Sequence, residues 1–226
     1  STQYIMTTLE ELGLLKMDFL GLRTLTVIRE AIELIEKNRG IKVEFDQEMN
    51  DPKVYKLWQD GDSVGIFQFE SGGMTNFMKE LKPDCLEDII AGVSLYRPGP
   101  MDQIPRYIAN KKDPDHAVYT HPSLKPILSV TYGCMVYQEQ VMQIVRDLAG
   151  YSLGRADLVR RAMGKKKLDV MAKERENFVH GKLDENGNVE IQGCVRNGID
   201  EESANKIFDE MAEFAKYAFN KSHAAC

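Results

Sequence analysis

Apolar residues recur at three- and four-residue spacing along most of this chain, which is the pattern of amphipathic helices. The predicted helices cover residues 23–38, 74–81, 86–95, 103–112, 137–149 and 168–179, with a last long helix that Asp200 caps. Weak alternation over 64–69 is typical of a strand, and the DENGN run at 184–188 predicts the turn of a short β-hairpin. We therefore predict a mainly α-helical fold with a few strands at its N-terminal edge.

Residues 150–167 form a concentrated cationic segment in a chain whose net charge is −6. The segment has a helical apolar stripe, which consists of Leu153, Ala156, Val159, Ala162 and Met163. On the opposite face Asp157 precedes Arg161 by four residues, the favourable order for an ion pair, and Arg160 lies beside them. Gly164 is a predicted C-cap, and three lysines follow it: Lys165, Lys166 and Lys167.

The chemistry of this cationic segment favours a phosphate ligand. Guanidinium forks match phosphate oxygens in geometry as well as in charge. We therefore predict a site for a polyphosphate or for nucleic-acid phosphates. The alternative is a solvated helix with a charged end.

A second unusual pattern lies in residues 14–20, an apolar run that suits a buried strand. Lys16 and Asp18 are two positions apart, so in a strand both side chains point to the same face. Buried charge is costly unless it is used or paired. Asp18 is therefore either functional or the partner of Lys16 on an exposed edge.

Two shorter patterns could also present cations. The YRPGP turn at 96–100 contains two prolines, which fix the backbone and present Arg97 at low entropic cost. Near the C-terminus, Ser222 is a predicted N-cap of a helix that begins at His223, with Lys221 beside it. The alternatives are a helix-ending turn with an incidental arginine, and a helix cap without a ligand.

Composition narrows the class of protein. The 226 residues include four cysteines, with no Cys-x-x-Cys pair, which argues against a zinc site and for free thiols in a reducing cytoplasm. The chain contains no apolar run long enough to cross a bilayer. The net charge of −6 means that any contact with nucleic acid must be local. Because the chain begins without Met and stops just after a helix start, we expect a piece of a longer protein.

Five stretches taken together resemble one family, the bacterial DNA polymerase III alpha subunit of the DnaE type, a C-family replicative polymerase. They are KMDFLGLRTL at 16–25, YRPGPM at 96–101, YQEQVM at 137–142, the segment 150–167, and FNKSHAA at 219–225. The resemblance implies that residues 1–45 are the end of the palm, a small α/β remnant, and that 46–226 are the helical fingers. Residues 181–198 are the least similar to the family and are interpreted as an insertion.

The resemblance also implies roles for individual residues. Asp18 matches the third of three palm aspartates that hold two Mg²⁺ ions, and the other two belong to an upstream motif that this chain does not contain. Lys16 matches a palm lysine near the incoming triphosphate. The phosphate-facing cations of the fingers are matched by Arg160, Arg161, Lys165, Lys166 and Lys167. The segment lining the nucleotide pocket is matched by Tyr217, Asn220, Lys221, Ser222 and His223, and DNA contacts are expected from Arg97 and Arg155.

These expectations describe part of a DNA-directed DNA polymerase that performs template-directed nucleotidyl transfer. One aspartate cannot hold two metal ions, so we expect the chain alone to be inactive. The expected partners are primer–template DNA, dNTP and, through regions outside this chain, other replicase subunits and the sliding clamp, with no membrane. The alternatives are a non-catalytic helical module that binds nucleotides or nucleic acid, and a structural helical scaffold.

Overall fold

Helices account for most of the residues that the structure describes, so the predicted mainly α-helical fold is confirmed. The structure is a computed structural model, and it describes residues 2–14, 22–45, 48–164, 168–215 and 217–225. The chain divides into two compact units, Ser1–Glu48 and Met49–Cys226. The assignment of these units to palm and fingers stays a prediction.

The first unit contains helices α1 (Met6–Glu11) and α2 (Arg23–Arg39). Gly40 ends α2 as predicted, because its backbone adopts a left-handed conformation and its N–H donates to the carbonyl of Glu36. The described residues of this unit contain no strand. The strand predicted over 14–20 lies, apart from its first residue, outside the described residues.

The second unit is built from ten helices in the part of it that the structure describes. They are α3 (Pro52–Asp60), α4 (Gly72–Leu81), α5 (Leu86–Leu95), α6 (Ile104–Lys112), α7 (Lys125–Leu128), α8 (Gln138–Ala149), α9 (Leu153–Gly164), α10 (Leu168–His180), α11 (Glu201–Phe214) and α12 (Lys221–Ala225). Short 3₁₀ turns lie at Pro100–Gln103, Pro114–His116, Pro122–Leu124 and Ser129–Thr131. None of the helices in the described ranges is long and apolar enough to span a membrane.

Among the described residues of this unit, buried side chains form two hydrophobic clusters, and both include residues near the start of α8. The first gathers side chains of α4, α5 and α6 around Met78, Leu95 and Tyr107, and it includes Tyr137. The second gathers α7 to α11, with Ile144 of α8 among its fully buried residues. The sequence around 137 therefore passes directly from one cluster into the other, which fixes the start of α8 in space.

The predicted hairpin is present as β1 (Lys182–Leu183) paired antiparallel with β2 (Val189–Ile191). Asp184 closes its turn, since its Oδ1 accepts from the backbone N–H of Asn186 at 2.9 Å and of Asn188 at 2.8 Å. The strand predicted over 64–69 was wrong, because this stretch forms successive turns. Within this stretch the backbone N–H of Phe69 donates to the carbonyl of Ile66, a local hydrogen bond that an extended strand cannot make.

The apolar stripe predicted in the cationic segment is correct except at its first position. Ala156, Val159, Ala162 and Met163 are buried in α9, whereas Leu153 is 61% exposed. Leu153 is the first residue of the helix, beyond the edge of the second cluster. The packed part of the stripe is therefore shorter than the pattern in the sequence.

Candidate functional site

Three segments that the sequence analysis singled out converge at the start of α8. Gln140 determines this start: its buried side-chain oxygen accepts from the backbone N–H groups of Val136 at 2.8 Å and Tyr137 at 3.0 Å. Its amide nitrogen donates to the hydroxyl of Thr131 at 2.7 Å. The side chain of Gln140 thus bonds to buried groups of its own loop, whereas the side chains of Gln138 and Glu139 contact the neighbouring segments.

Gln138 connects the cationic helix α9 with the C-terminal segment. Its backbone N–H donates to the carbonyl of Phe219 at 2.8 Å, and its Nε2 donates to the carbonyl of Ala218 at 3.0 Å. Its Oε1 accepts from Nη1 of Arg160 at 2.9 Å. Sequence reasoning did not propose Gln138 as a site residue. Its position in the YQEQVM stretch was the available signal.

Asp157 is the partner of two of the three arginines of α9, Arg160 and Arg161. Arg160 donates to its Oδ1 from Nε at 3.1 Å and from Nη2 at 2.7 Å, and Nε of Arg161 lies 2.7 Å from its Oδ2. The predicted pair of Asp157 with Arg161 is thus confirmed. Chiefly through the hydrogen bond from Arg160, the pKa of Asp157 is lowered. The charges of Arg160 and Arg161 are therefore both paired with this carboxylate.

The predicted cap of the C-terminal helix was also wrong, because Asn220 and not Ser222 caps α12. The Oδ1 of Asn220 accepts from the backbone N–H of His223 at 2.9 Å, and its Nδ2 donates to Oε1 of Glu139 at 2.8 Å. The backbone N–H of Lys221 lies 3.2 and 3.1 Å from the two oxygens of Glu139. The helix start that was predicted to receive an anion therefore faces a carboxylate of α8.

The side chain of Lys221 meets a second carboxylate. Its Nζ lies 2.9 Å from Oε1 and 2.8 Å from Oε2 of Glu87, which α5 contributes. The ammonium also lies 5.4 Å from the centroid of the Tyr137 ring, within cation–π range. Sequence reasoning did not find Glu87 or Glu139, since no local pattern associates them with Lys221.

The YRPGP turn lies against the same C-terminal segment. The guanidinium of Arg97 lies 4.5 Å from the centroid of the Phe219 ring, and that ring meets His223 edge-on at 5.4 Å. Gly99 has a φ of 103°, and a Cβ added there would lie 2.4 Å from the ring of Tyr217. The turn therefore needs glycine at this position, both for its backbone and for the approach of Tyr217.

Arg155 is occupied with contacts inside the protein. Its Nη2 donates to Oε1 of Glu174 and its Nη1 to Oε1 of Glu190, both at 2.9 Å. These bonds join α9 to α10 and to the hairpin. A role of Arg155 in DNA contact stays a prediction.

A cavity of about 340 Å³ opens beside Tyr217, between the YRPGP turn and α11. Its charged lining residues are Asp102, Arg106, Glu210 and Glu213. Three carboxylates against one guanidinium disfavour a phosphate ligand in this cavity. The cavity is thus chemically different from the cationic residues at the start of α8.

One group of side chains has the composition of a metal site: Asp84, Cys85 and Asp88 have ligand atoms within 4.8 Å of one another. Nζ of Lys111 lies 2.9 Å from a carboxylate oxygen of both aspartates. Burial opposes the charge on Lys111, but the hydrogen bonds to Asp84 and Asp88 outweigh it and raise the pKa of Lys111. Since the ammonium of Lys111 already occupies the position between these carboxylates and the third ligand atom is a thiol sulfur, the group does not fit a resident Mg²⁺, which prefers oxygen ligands.

Five of the predicted residues lie outside the described part of the chain. They are Lys16, Asp18, Lys165, Lys166 and Lys167.

Comparison with known proteins gives one consistent result. Residues 24–186 match the family model described as the bacterial DNA polymerase III alpha subunit finger domain. The chain is 51% identical over 230 residues to DNA polymerase III subunit alpha of Thermus aquaticus, 46% over 227 residues to that of Aquifex aeolicus, and 45% over 224 residues to that of Staphylococcus aureus. These matches cover 99% of this chain but 18%, 18% and 20% of the relatives, so the chain spans about a fifth of their length.

Proposed function

This chain belongs to the bacterial DNA polymerase III alpha subunit family, and we propose that it supplies the nucleotide-binding fingers of a DNA-directed DNA polymerase. The observation that carries the proposal is the convergence at the start of α8. There Gln138 joins Arg160 to the segment that contains Lys221. Two cationic side chains from distant parts of the sequence are thereby linked through one residue.

The proposed ligand is the triphosphate of the incoming dNTP. Phosphoryl transfer requires that the developing charge on the phosphates be neutralised and that the reacting groups be held in line. Arg160 offers a guanidinium fork for phosphate oxygens, and Lys221 offers a mobile ammonium. Tyr217, Asn220 and His223 belong to the same segment and would border the nucleotide.

Magnesium chemistry is proposed for the full-length polymerase, in which two Mg²⁺ ions would supply charge neutralisation and activate the attacking oxygen. Asp18 would contribute one carboxylate, with Lys16 close to the triphosphate. The support for both roles is the resemblance, together with the cost of leaving Asp18 in an apolar run. The remaining carboxylates would come from other parts of the polymerase, so we expect the chain alone to incorporate no nucleotide.

Primer–template DNA is the proposed macromolecular partner, with Arg97 in contact with its backbone. The chain carries a net charge of −6, so this contact is local and sensitive to salt. Contacts with other replicase subunits and the sliding clamp are proposed for regions outside this chain. The proposed compartment is the cytoplasm.

The test is Arg160→Ala in a full-length polymerase that carries this chain. Charge-assisted contacts contribute about 1.5–3 kcal/mol, so we expect the apparent Kd for dNTP in single-turnover incorporation to rise about 10-fold or more. Arg160→Lys keeps the charge but loses the guanidinium fork, so its Kd for dNTP should lie between those of the wild type and Arg160→Ala.

Arg146→Ala is the matched control. Arg146 is an exposed arginine of α8 that pairs with the adjacent Asp147 at 2.7 Å. An unchanged Kd in Arg160→Ala, or an equal change in Arg146→Ala, would contradict the proposed role of the cationic segment.

A further inference from the structure

The ammonium of Lys221 already has an anionic partner in the structure. The two oxygens of Glu87 lie 2.9 and 2.8 Å from Nζ of Lys221, the geometry that a phosphate would also offer. Arg160 is in the same situation, because Asp157 receives two of its N–H groups. The phosphates of a nucleotide can therefore bind these two cations fully only if they displace the carboxylates.

We propose that Glu87 is a placeholder carboxylate, which the triphosphate of the incoming nucleotide displaces from Lys221. The inference rests on the proposed function, since it assigns Glu87 to the same site. On binding, the ion pair between Glu87 and Lys221 opens, and Lys221 turns to a phosphate oxygen. Glu87 is then hydrated, so the ion pair between Lys221 and Glu87 is replaced by one between Lys221 and the nucleotide.

The exposure of the pair allows this exchange. The side chains of Lys221 and Glu87 are 34% and 41% exposed, so the pair lies at the surface, although Oε2 of Glu87 is covered while the pair is closed. Exposed ion pairs contribute little net stability, and a triphosphate offers more charge and more oxygens than one carboxylate. The pair of Lys111 with Asp88 is the opposite case, because Asp88 is fully buried and cannot be released to water.

The backbone of the segment does not depend on Glu87. Glu139 holds the backbone N–H of Lys221 and the amide of Asn220, and Gln138 holds the carbonyls of Ala218 and Phe219. The side chain of Lys221 can therefore change partner while its backbone stays in place. This separation distinguishes an exchangeable pair from one that fastens the fold.

The test is Glu87→Gln in a full-length polymerase that carries this chain, measured as the Kd for the complementary dNTP in single-turnover incorporation. The variant frees Lys221, so we expect binding to tighten about two- to five-fold. Glu80→Gln is the matched control, since it removes one negative charge from an exposed position of α4. It should leave the Kd unchanged.

Lys221→Ala separates the two proposals. If Lys221→Ala leaves the Kd unchanged, Lys221 does not bind the nucleotide, and both its proposed role and the exchange are overturned. If Lys221→Ala weakens binding while Glu87→Gln has no effect or weakens it too, only the exchange is overturned. If Glu87→Gln tightens binding equally with and without Lys221, the gain is general electrostatics, which also overturns the exchange.

Discussion

The buried carboxylate of Asp88 should be far more important for stability than its neighbour Asp84, although both contact the same ammonium. Nζ of Lys111 lies 2.9 Å from each of them. The side chain of Asp88 is 0% exposed and that of Asp84 is 69% exposed. The perturbations are Asp88→Asn and Asp84→Asn, which remove one charge each and keep the shape of the side chain.

The environment of Asp88 determines the expected cost. Its Oδ2 accepts from the backbone N–H of Asp84 at 3.2 Å, and the hydroxyls of Tyr107 and Tyr132 each lie 3.4 Å from its Oδ1. Asparagine can still accept some of these bonds, but it leaves the largely buried Lys111 without its buried counter-charge. Breaking a buried ion pair in this way costs about 3–5 kcal/mol, and the retained bonds point to about 3 kcal/mol.

Loss of the exposed carboxylate of Asp84 should lower the free energy of unfolding much less. An ion pair in solvent contributes about 0–1 kcal/mol, so Asp84→Asn should fall in that range. For a domain of this size one kcal/mol corresponds to about 2–4 °C in Tm. Asp88→Asn should therefore lower the Tm by about 6–12 °C and Asp84→Asn by about 4 °C or less.

The assay is thermal unfolding of the chain by circular dichroism, with urea unfolding to convert the shift into free energy. Equal losses in the two variants, or a loss below about 1 kcal/mol in Asp88→Asn, would refute the burial argument. Added Mg²⁺ should not raise the Tm of the wild type through this group, because the ammonium of Lys111 already occupies the position between the two aspartates. A Mg²⁺-dependent rise that Asp88→Asn abolishes would show that this group binds metal.

Two further predictions concern the full-length polymerase. Gln138→Met removes the hydrogen bonds to Arg160 and to the carbonyl of Ala218. We therefore expect the Kd for dNTP to rise several-fold in single-turnover assays and the free energy of unfolding to fall by about 1–3 kcal/mol in melting assays. A loss of stability with an unchanged Kd would show that Gln138 is purely structural. Asp18→Asn should lower kcat by about 10³, or about 4 kcal/mol, with an unchanged or higher Tm without metal. Near-normal incorporation with a lowered Tm would show that Asp18 is structural.

Local features of the fold could be predicted from the sequence because their causes lie within a few residues. The helix predicted over 86–95 was found with the same bounds, as Leu86–Leu95. Asp200 caps α11 as predicted, with its Oδ1 accepting from the N–H of Ser203 at 2.8 Å. The hairpin follows from its turn residues in the same way. Helical periodicity, caps and turns depend on short-range geometry, which the sequence alone contains.

Prediction from the sequence fails where several local structures are possible and tertiary packing determines which one forms. Ser222 and Asn220 are both good N-caps, and Asn220 became the cap at a position where its side chain also meets Glu139. Leu153 belongs to the helical stripe of α9, but the cluster that buries the stripe ends before it. Neither outcome depends on a property of these residues alone.

The sequence by itself determined the helices, the hairpin and the choice of cationic segments, and the ordered motifs indicated the family. The sequence also indicated the local pair of Asp157 with Arg161, but only the tertiary structure decided the distant partners of Lys221. Glu87 and Lys221 are 134 positions apart, and Glu139 lies 82 positions from the same lysine. The physical reason is that charges interact through space: the fold places α5 and α8 by burying their apolar side chains, and polar contacts hold α12, which has no buried residue, against them.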